Sequence, residues 1–267
     1  MAAESDRQAG ELAALARRHD PDRYLAALFA PAPARGTLFL LIAFNHELAR
    51  AREAAREPMM ALIRLQWWRE VLEGARRRHE VAEPLAAALE AGRFDPTDLM
   101  ALVDAREAEA APEIATFADW QDHVRATAGT LARAAGRTLG AEGMLLARIA
   151  ALGTAYGVAG QLRNVPALAR QGRCLLPRDR LGAHGLTAEA VVARPDDARL
   201  RPVLDELRDW GRALLREAGG GLPRAVIAAA LPAVLARRDL RRAAPVPGPR
   251  GFGDQAAVLA AFLAGRV

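Results

Sequence analysis

Hydrophobic residues recur along most of this chain at intervals of three and four positions, which is the repeat of an α-helix. Valine, isoleucine and threonine are never grouped with alternating polar residues, so β-strands have little support. Prolines, glycines and capping residues mark the ends of the periodic segments. The pattern predicts helices over about residues 5–18, 21–30, 35–56, 58–77, 82–91, 96–111, 117–139, 142–169, 187–193, 199–217, 222–241 and 253–265.

Only one stretch of the chain has the composition of a linker. Residues 243–253 contain three prolines and three glycines, and we find no internal repeat and no earlier break between two complete cores. The sequence therefore predicts one all-α domain over residues 1–267, in which 243–253 connects to a last helix.

Composition and charge argue against a nucleic-acid-binding protein and against a disulfide-stabilised one. The chain has no lysine, so all 37 basic residues are arginines, and 32 acidic residues leave a net charge of +5. The arginines are dispersed among acids at helical spacing, without the aromatic-interleaved basic clusters of nucleic-acid-binding proteins. The lone cysteine, Cys174, excludes an intramolecular disulfide.

The chain begins without the pattern of a secretion signal, and no uncharged run reaches the ~18 residues of a spanning helix. We therefore expect a cytoplasmic protein that is either soluble or attached peripherally to a membrane. The apolar run 256–263 could lie on a membrane, but it lacks a basic polar face, which favours a packed last helix.

Two segments could carry chemistry. Residues 38–57 are fully apolar in their first half and highly charged in their second, as expected for a helix that leaves a core for a polar cavity or water. In the segment 153–177, Gly153, Gly157 and Gly160 line one helix face. Glycine in a helix costs ~1 kcal/mol relative to alanine, so a close neighbour is expected, either a packed helix or a ligand.

The predicted helix 58–77 carries adjacent tryptophans. Residues next to each other on a helix point about 100° apart, so Trp67 and Trp68 cannot both face one core equally. The pair is interpreted either as core packing or as an anchor for a partner protein.

Three short motifs resemble the squalene and phytoene synthase family: IAF at 42–44, LQWWR at 65–69 and GRCLLP at 172–177. The likeness covers about residues 22–186. It implies a single-domain multi-helix bundle of the isoprenoid-synthase type around a central cavity. Active members of the family join two prenyl diphosphates head to head. They use two DxxxD motifs on facing helices, whose carboxylates hold Mg²⁺ against the diphosphates.

The carboxylates of those motifs are mostly missing here. The motif positions fall at Ala49, Glu53, Asn164 and Leu168, so one carboxylate of four remains. The sequence therefore predicts no metal site and no cofactor, with Mg²⁺ expected only if the chain is nonetheless a prenyl transferase. The segments 161–166 and 175–185 resemble a non-catalytic subgroup of the family more than they resemble its active synthases. The resemblance to that subgroup implies a role in the assembly of respiratory complex I.

These observations leave three hypotheses. The first is a scaffold whose partner is a protein in complex I assembly, and the second is a prenyl transferase. The third is a binder of an isoprenoid or acidic lipid, because arginine binds phosphate bidentately without a metal. The predicted ligand-binding residues are Arg50, Arg52, Glu53, Arg163 and Arg173. The alternative for the arginines is a set of surface ion pairs.

Overall fold

In the computed structural model, which describes residues 2–53, 57–111, 113–242 and 248–267, the chain is helical. Within these ranges no strand forms, and pairing is limited to two isolated bridges. The all-α prediction is confirmed. The helices are α1 (Ala2–His19), α2 (Pro21–Ala27), α3 (Ala32–Glu53), α4 (Pro58–Leu72), α5 (Ala82–Glu90), α6 (Pro96–Ala105), α7 (Phe117–Val124), α8 (Thr130–Thr138), α9 (Gly143–Arg170), α10 (Arg178–Ala183), α11 (Ala188–Ala193), α12 (Leu200–Ala218), α13 (Pro232–Arg241) and α14 (Phe252–Ala264).

Capping residues placed several helix starts correctly. The Asp20 side chain accepts a hydrogen bond from the Arg23 backbone N–H at 3.0 Å, and Pro21 opens α2. Asp95 caps α6 in the same way, with Pro96 at its first position. Such a cap satisfies one of the backbone donors that a helix start leaves unpaired.

Other boundaries were predicted wrongly. The α4 helix ends at Leu72 rather than near residue 77, and the short α10 was missed. The predicted helix 222–241 is wrong in its first half, where a 3-10 turn over Ile227–Ala229 precedes Pro232 at the start of α13. In the predicted linker, residues 243–247 lie outside the described ranges.

The core consists of two clusters of buried apolar side chains. One is centred on α9 and includes Leu152, Val158 and Leu207, and the other is centred on α3 and includes Phe44 and Leu85. By length and composition α9 is long and apolar enough to cross a membrane, and it is the one described helix that meets this test. In this structure the buried apolar side chains of α9 form part of the first core cluster.

Close helix packing explains two of the three aligned glycines. A Cβ atom at Gly153 would lie 2.1 Å from the Cβ of Ala132, and one at Gly157 would lie 2.5 Å from the Cβ of Ala128. A Cβ at Gly160 would meet nothing within 4 Å. The first two glycines therefore admit the neighbouring helical segment, while the third opens onto a cavity.

Candidate functional site

A polar cavity of about 460 Å³ lies where α2, α3, α7 and α9 meet. Among the residues that the structure describes, five arginines and three carboxylates line it, so the positive charges of these residues outnumber the negative ones by two. The arginines are Arg23, Arg106, Arg163, Arg173 and Arg250, and the acids are Asp20, Asp22 and Glu109. Such a wall is suited to an anionic group rather than to a cation.

The positions expected from the family motifs converge on this cavity. Ala49 of α3 and Asn164 and Leu168 of α9 all line it. Glu53 is the last residue of α3, and its side chain lies outside the described part of the chain. Three of the four positions that the resemblance marked therefore lie at one cavity, although their side chains differ from those that define the motifs.

The first cluster in the cavity wall joins three parts of the chain. The guanidinium of Arg250 donates to both carboxylate oxygens of Asp22, at 2.8–3.1 Å, and lies 2.8 Å from Asp239 of α13. Tyr156 of α9 donates its hydroxyl hydrogen to Asp22 at 3.0 Å. Burial, with the nearby charges of Asp20 and Asp22, raises the pKa of Tyr156 well above its usual value. The hydroxyl therefore stays protonated and serves as a donor.

The second cluster is centred on the buried Glu109, which lies on a 3-10 turn over Glu107–Ala110. Its carboxylate is 2.6 Å from Arg106, 3.5 Å from Arg173 and 3.6 Å from His123. Burial opposes ionisation of Glu109 most strongly, yet the surrounding positive groups together hold its pKa below the ordinary value. The Arg106 guanidinium also donates to the side-chain oxygen of Asn45 on α3, at 2.9 Å.

Burial lowers the pKa of His123, and the charges of Arg106 and Arg173 add to the effect against the opposing charge of Glu109. The folded state therefore holds His123 neutral at a pH where the unfolded chain, with a histidine pKa of about 6.5, becomes protonated. The contribution of His123 to the free energy of unfolding is therefore fully present above the unfolded pKa. It decreases as the pH falls below that value, at up to about 1.4 kcal/mol per pH unit for one group.

We expect His123→Gln to flatten this dependence between about pH 7 and 5. Urea unfolding at several pH values measures it, with His184→Gln at an exposed position as the control. Part of the slope should remain, because burial and the stacked ring of His19, 3.7 Å away, lower the pKa of His46 as well. An unchanged slope in the His123 variant would contradict the assignment.

The predicted ligand-binding arginines separate into two groups. Arg163 and Arg173 line the cavity, and Arg163 donates to the backbone carbonyl of Gly248 and lies 4.0 Å from Asp22. Arg50 instead pairs with Glu47 at 2.9 Å on the outer side of α3, and the half-buried Arg52 does not line the cavity either. The spacing of these arginines along the sequence could not predict which of them line the cavity and which do not.

A second depression, of about 330 Å³, lies between α3 and α4. Trp67 and Trp68 line it together with Glu47, Arg50, Ala51, Arg64 and His79. Trp68 is buried and packs edge-on against Phe44, whereas Trp67 is half-buried at the surface. We call this depression the α3–α4 groove. The two tryptophans thus have different surroundings, as their adjacent positions on a helix require.

Sequence comparison decides the family. The profile of the squalene/phytoene synthase family matches residues 16–253, which is most of the chain. The chain belongs to the squalene/phytoene synthase family. The similarity extends beyond the segment 22–186 in which motifs alone were recognisable.

Relatives of this squalene/phytoene synthase family member include complex I assembly factor 6 from Homo sapiens, 26% identical over 76% of this chain and 63% of that protein. The Mus musculus protein is 26% identical over 83% of this chain and 68% of its own length. The match thus spans less than two thirds of the human relative.

Solved structures show the same fold. A dehydrosqualene synthase in complex with a ligand superposes with a TM-score of 0.78, at 14% identity over 98% of this chain and 97% of that one. The squalene synthase HpnC from Alicyclobacillus acidocaldarius superposes with a TM-score of 0.67, at 19% identity over 98% and 96% of the two chains. The predicted isoprenoid-synthase-like bundle around a central cavity is confirmed.

The cavity of this squalene/phytoene synthase family member does not fit a cluster of magnesium ions. Mg²⁺ requires oxygen ligands, and Ala49 and Leu168 offer none in their side chains. The three acids that line the cavity come from α2 and from the 3-10 turn, which motif spacing did not predict. All three are paired with arginine, and among the described residues no group of three or more potential ligands could hold a metal ion.

The apolar space beside the polar cavity is small. Arg23 lies 4.7 Å above the ring of Tyr156, and these two side chains also line a second, apolar cavity of about 40 Å³. That volume holds a few water molecules. It is too small for the long hydrocarbon chain of a prenyl diphosphate in this conformation.

Proposed function

We propose that this protein is a non-catalytic member of its family that acts as an assembly or scaffold factor for respiratory complex I. The observation that carries the proposal is the cavity, where Ala49, Asn164 and Leu168 leave three of the four motif positions without a carboxylate and the described acids in the wall are paired with arginines. The names of the curated relatives supply the link to complex I. The proposal includes no Mg²⁺ and no other cofactor.

A scaffold needs a surface for its partner, and the α3–α4 groove suits this role. Along α4, Met60 and Ile63 are exposed on the same face as Trp67, which lines the groove, and Met59 beside them is exposed as well. Exposed apolar patches of this kind mark interaction sites, and tryptophan is enriched at binding hot spots. The groove also carries Arg50, Arg64 and Glu47, which would orient a polar partner segment.

The first test is deletion in the host. Complex I activity should fall, while the amounts of carotenoids and hopanoids stay unchanged. The wild-type protein should restore the activity, and a variant with Ile63→Ser and Trp67→Ala should fail to do so while folding normally. Met144→Ser removes an equally exposed apolar side chain on α9 and is the matched control. Normal complex I activity in the deletion strain would refute the assembly role.

The remaining hypotheses have separate readouts. Binding of an acidic lipid or isoprenoid is favoured by the excess of arginine in the cavity. Gly160→Leu would fill part of that space, because nothing lies within 4 Å of a Cβ there. Loss of rescue in this variant alone would assign function to a cavity ligand. Formation of a C30 or C40 hydrocarbon from prenyl diphosphate and Mg²⁺ would show that the chain is an enzyme.

A further inference from the structure

The outer face of α14 is apolar and uncovered. Phe252, Leu259 and Leu263 are 85%, 47% and 61% exposed, and they fall on one side of the helix with the small Ala256 and Ala260 between them. The opposite side is packed, with Val258 buried in the main core. A helix that is apolar on both sides faces the core with one and a partner with the other.

This outer face carries no charge. The one ionisable residue of α14, Asp254, is buried, and its carboxylate is 2.6 Å from Arg238 and 3.7 Å from Arg242. At the border of the face, the guanidinium of Arg224 lies 5.6 Å from the ring of Phe262 and donates to the carbonyl of Leu263 at 3.4 Å. Arg266 follows the helix and is exposed.

The apolar surface continues beyond α14. The ring of Phe29 lies 4.8 Å from that of Phe262, and Leu28 beside it is 38% exposed. The patch therefore combines apolar side chains from the end of α2 and from α14. The charged side chains that the structure places at its border, Arg224 and Arg266, are both basic. An anionic surface is complementary in charge.

We infer that the outer face of α14, with Arg224 and Arg266 at its border, docks on an anionic lipid bilayer. Phe252, Leu259 and Leu263 enter the interface between headgroups and acyl chains, as the apolar side of an interfacial helix does. The arginines contact the anionic headgroups, where each basic residue contributes about 1 kcal/mol. This surface is distinct from the α3–α4 groove, so the inference is independent of the proposed partner.

Sedimentation of the full chain with lipid vesicles tests the inference. The protein should bind vesicles of phosphatidylcholine and phosphatidylglycerol, bind pure phosphatidylcholine more weakly, and lose the difference at high salt. Combined replacement of Phe252, Leu259 and Leu263 by serine should weaken binding on the order of 100-fold. Arg224→Gln with Arg266→Gln should weaken binding to anionic vesicles on the order of tenfold.

Met144→Ser again provides the control, because Met144 is 83% exposed on a different helix and its loss should leave binding unchanged. Circular dichroism of each variant establishes that it is folded. The inference is overturned if the folded wild-type protein does not bind, or if the triple serine variant binds as well as the wild type. It is also overturned if light scattering shows a dimer that the serine changes dissociate while vesicle binding is absent.

Discussion

Replacement of Gly153 by alanine is expected to destabilise the protein by about 3 kcal/mol, because overpacking a filled core forces backbone and side-chain shifts. The new Cβ would lie 2.1 Å from the Cβ of Ala132 and 2.9 Å from the backbone oxygen of Ala128. Neither atom is the end of a flexible side chain, so α9 and its neighbour would have to separate. Urea unfolding followed by circular dichroism measures the effect.

The matched control lies on the same face of α9. Gly160→Ala adds the same methyl group where nothing approaches within 4 Å. Alanine is favoured over glycine in a helix by about 1 kcal/mol, so this variant should be slightly more stable than the wild type. If Gly153→Ala and Gly160→Ala changed the free energy of unfolding equally, close helix packing would not be the reason for a glycine at position 153.

Loss of Arg250 should have a similarly large effect. Its side chain is 9% exposed, and its guanidinium pairs with two largely buried carboxylates, those of Asp22 and Asp239. Burial opposes the charge of Arg250 most, but the hydrogen bonds and charges of its two partners raise its pKa above the ordinary value. Removing one partner of a buried ion pair leaves an uncompensated charge, which typically costs several kcal/mol. We expect Arg250→Ala to cost about 3 kcal/mol.

Two further variants test the cause. Arg76→Ala breaks an ion pair with Glu90 that is largely exposed on both sides, so it should change stability by less than about 1 kcal/mol. Without Arg250, Asp22 keeps the hydrogen bond from Tyr156 and Asp239 keeps its pair with Arg242 at 3.1 Å, but each carboxylate has lost one buried partner. Adding Asp239→Asn to Arg250→Ala removes one of these two carboxylates and should recover part of the loss. Full additivity of the two changes would show that the side chains do not interact.

Ion pairs between arginine and carboxylate connect separate segments of the chain around the cavity. In the cavity wall, Glu109 and Asp22 are held by Arg106, Arg173 and Arg250. These pairs connect α2 and the 3-10 turn with the segments that follow α9 and precede α14, by direct contacts between side chains. We therefore expect these arginines to stabilise the bundle.

Much of this protein was determined by local sequence. Helical periodicity, with prolines, glycines and capping residues at the ends of the periodic segments, predicted most of the helices, because these signals act over one or two turns. The resemblance to the family marked Ala49, Asn164 and Leu168, and spacing places the last two on one face because they are one turn apart on α9. The change from carboxylate to alanine and leucine is likewise a property of the sequence alone.

Only the tertiary structure decided what surrounds those positions. Asp22 and Arg250 are 228 residues apart in the chain yet share hydrogen bonds, and Glu109 reaches the cavity from a 3-10 turn with no motif of its own. The glycines are a second example. Their spacing predicts that Gly153 and Gly160 share one face of α9, but only the packed structure shows that a neighbouring segment approaches Gly153 and not Gly160. Contacts between distant segments depend on how helices pack, and no local pattern encodes that packing.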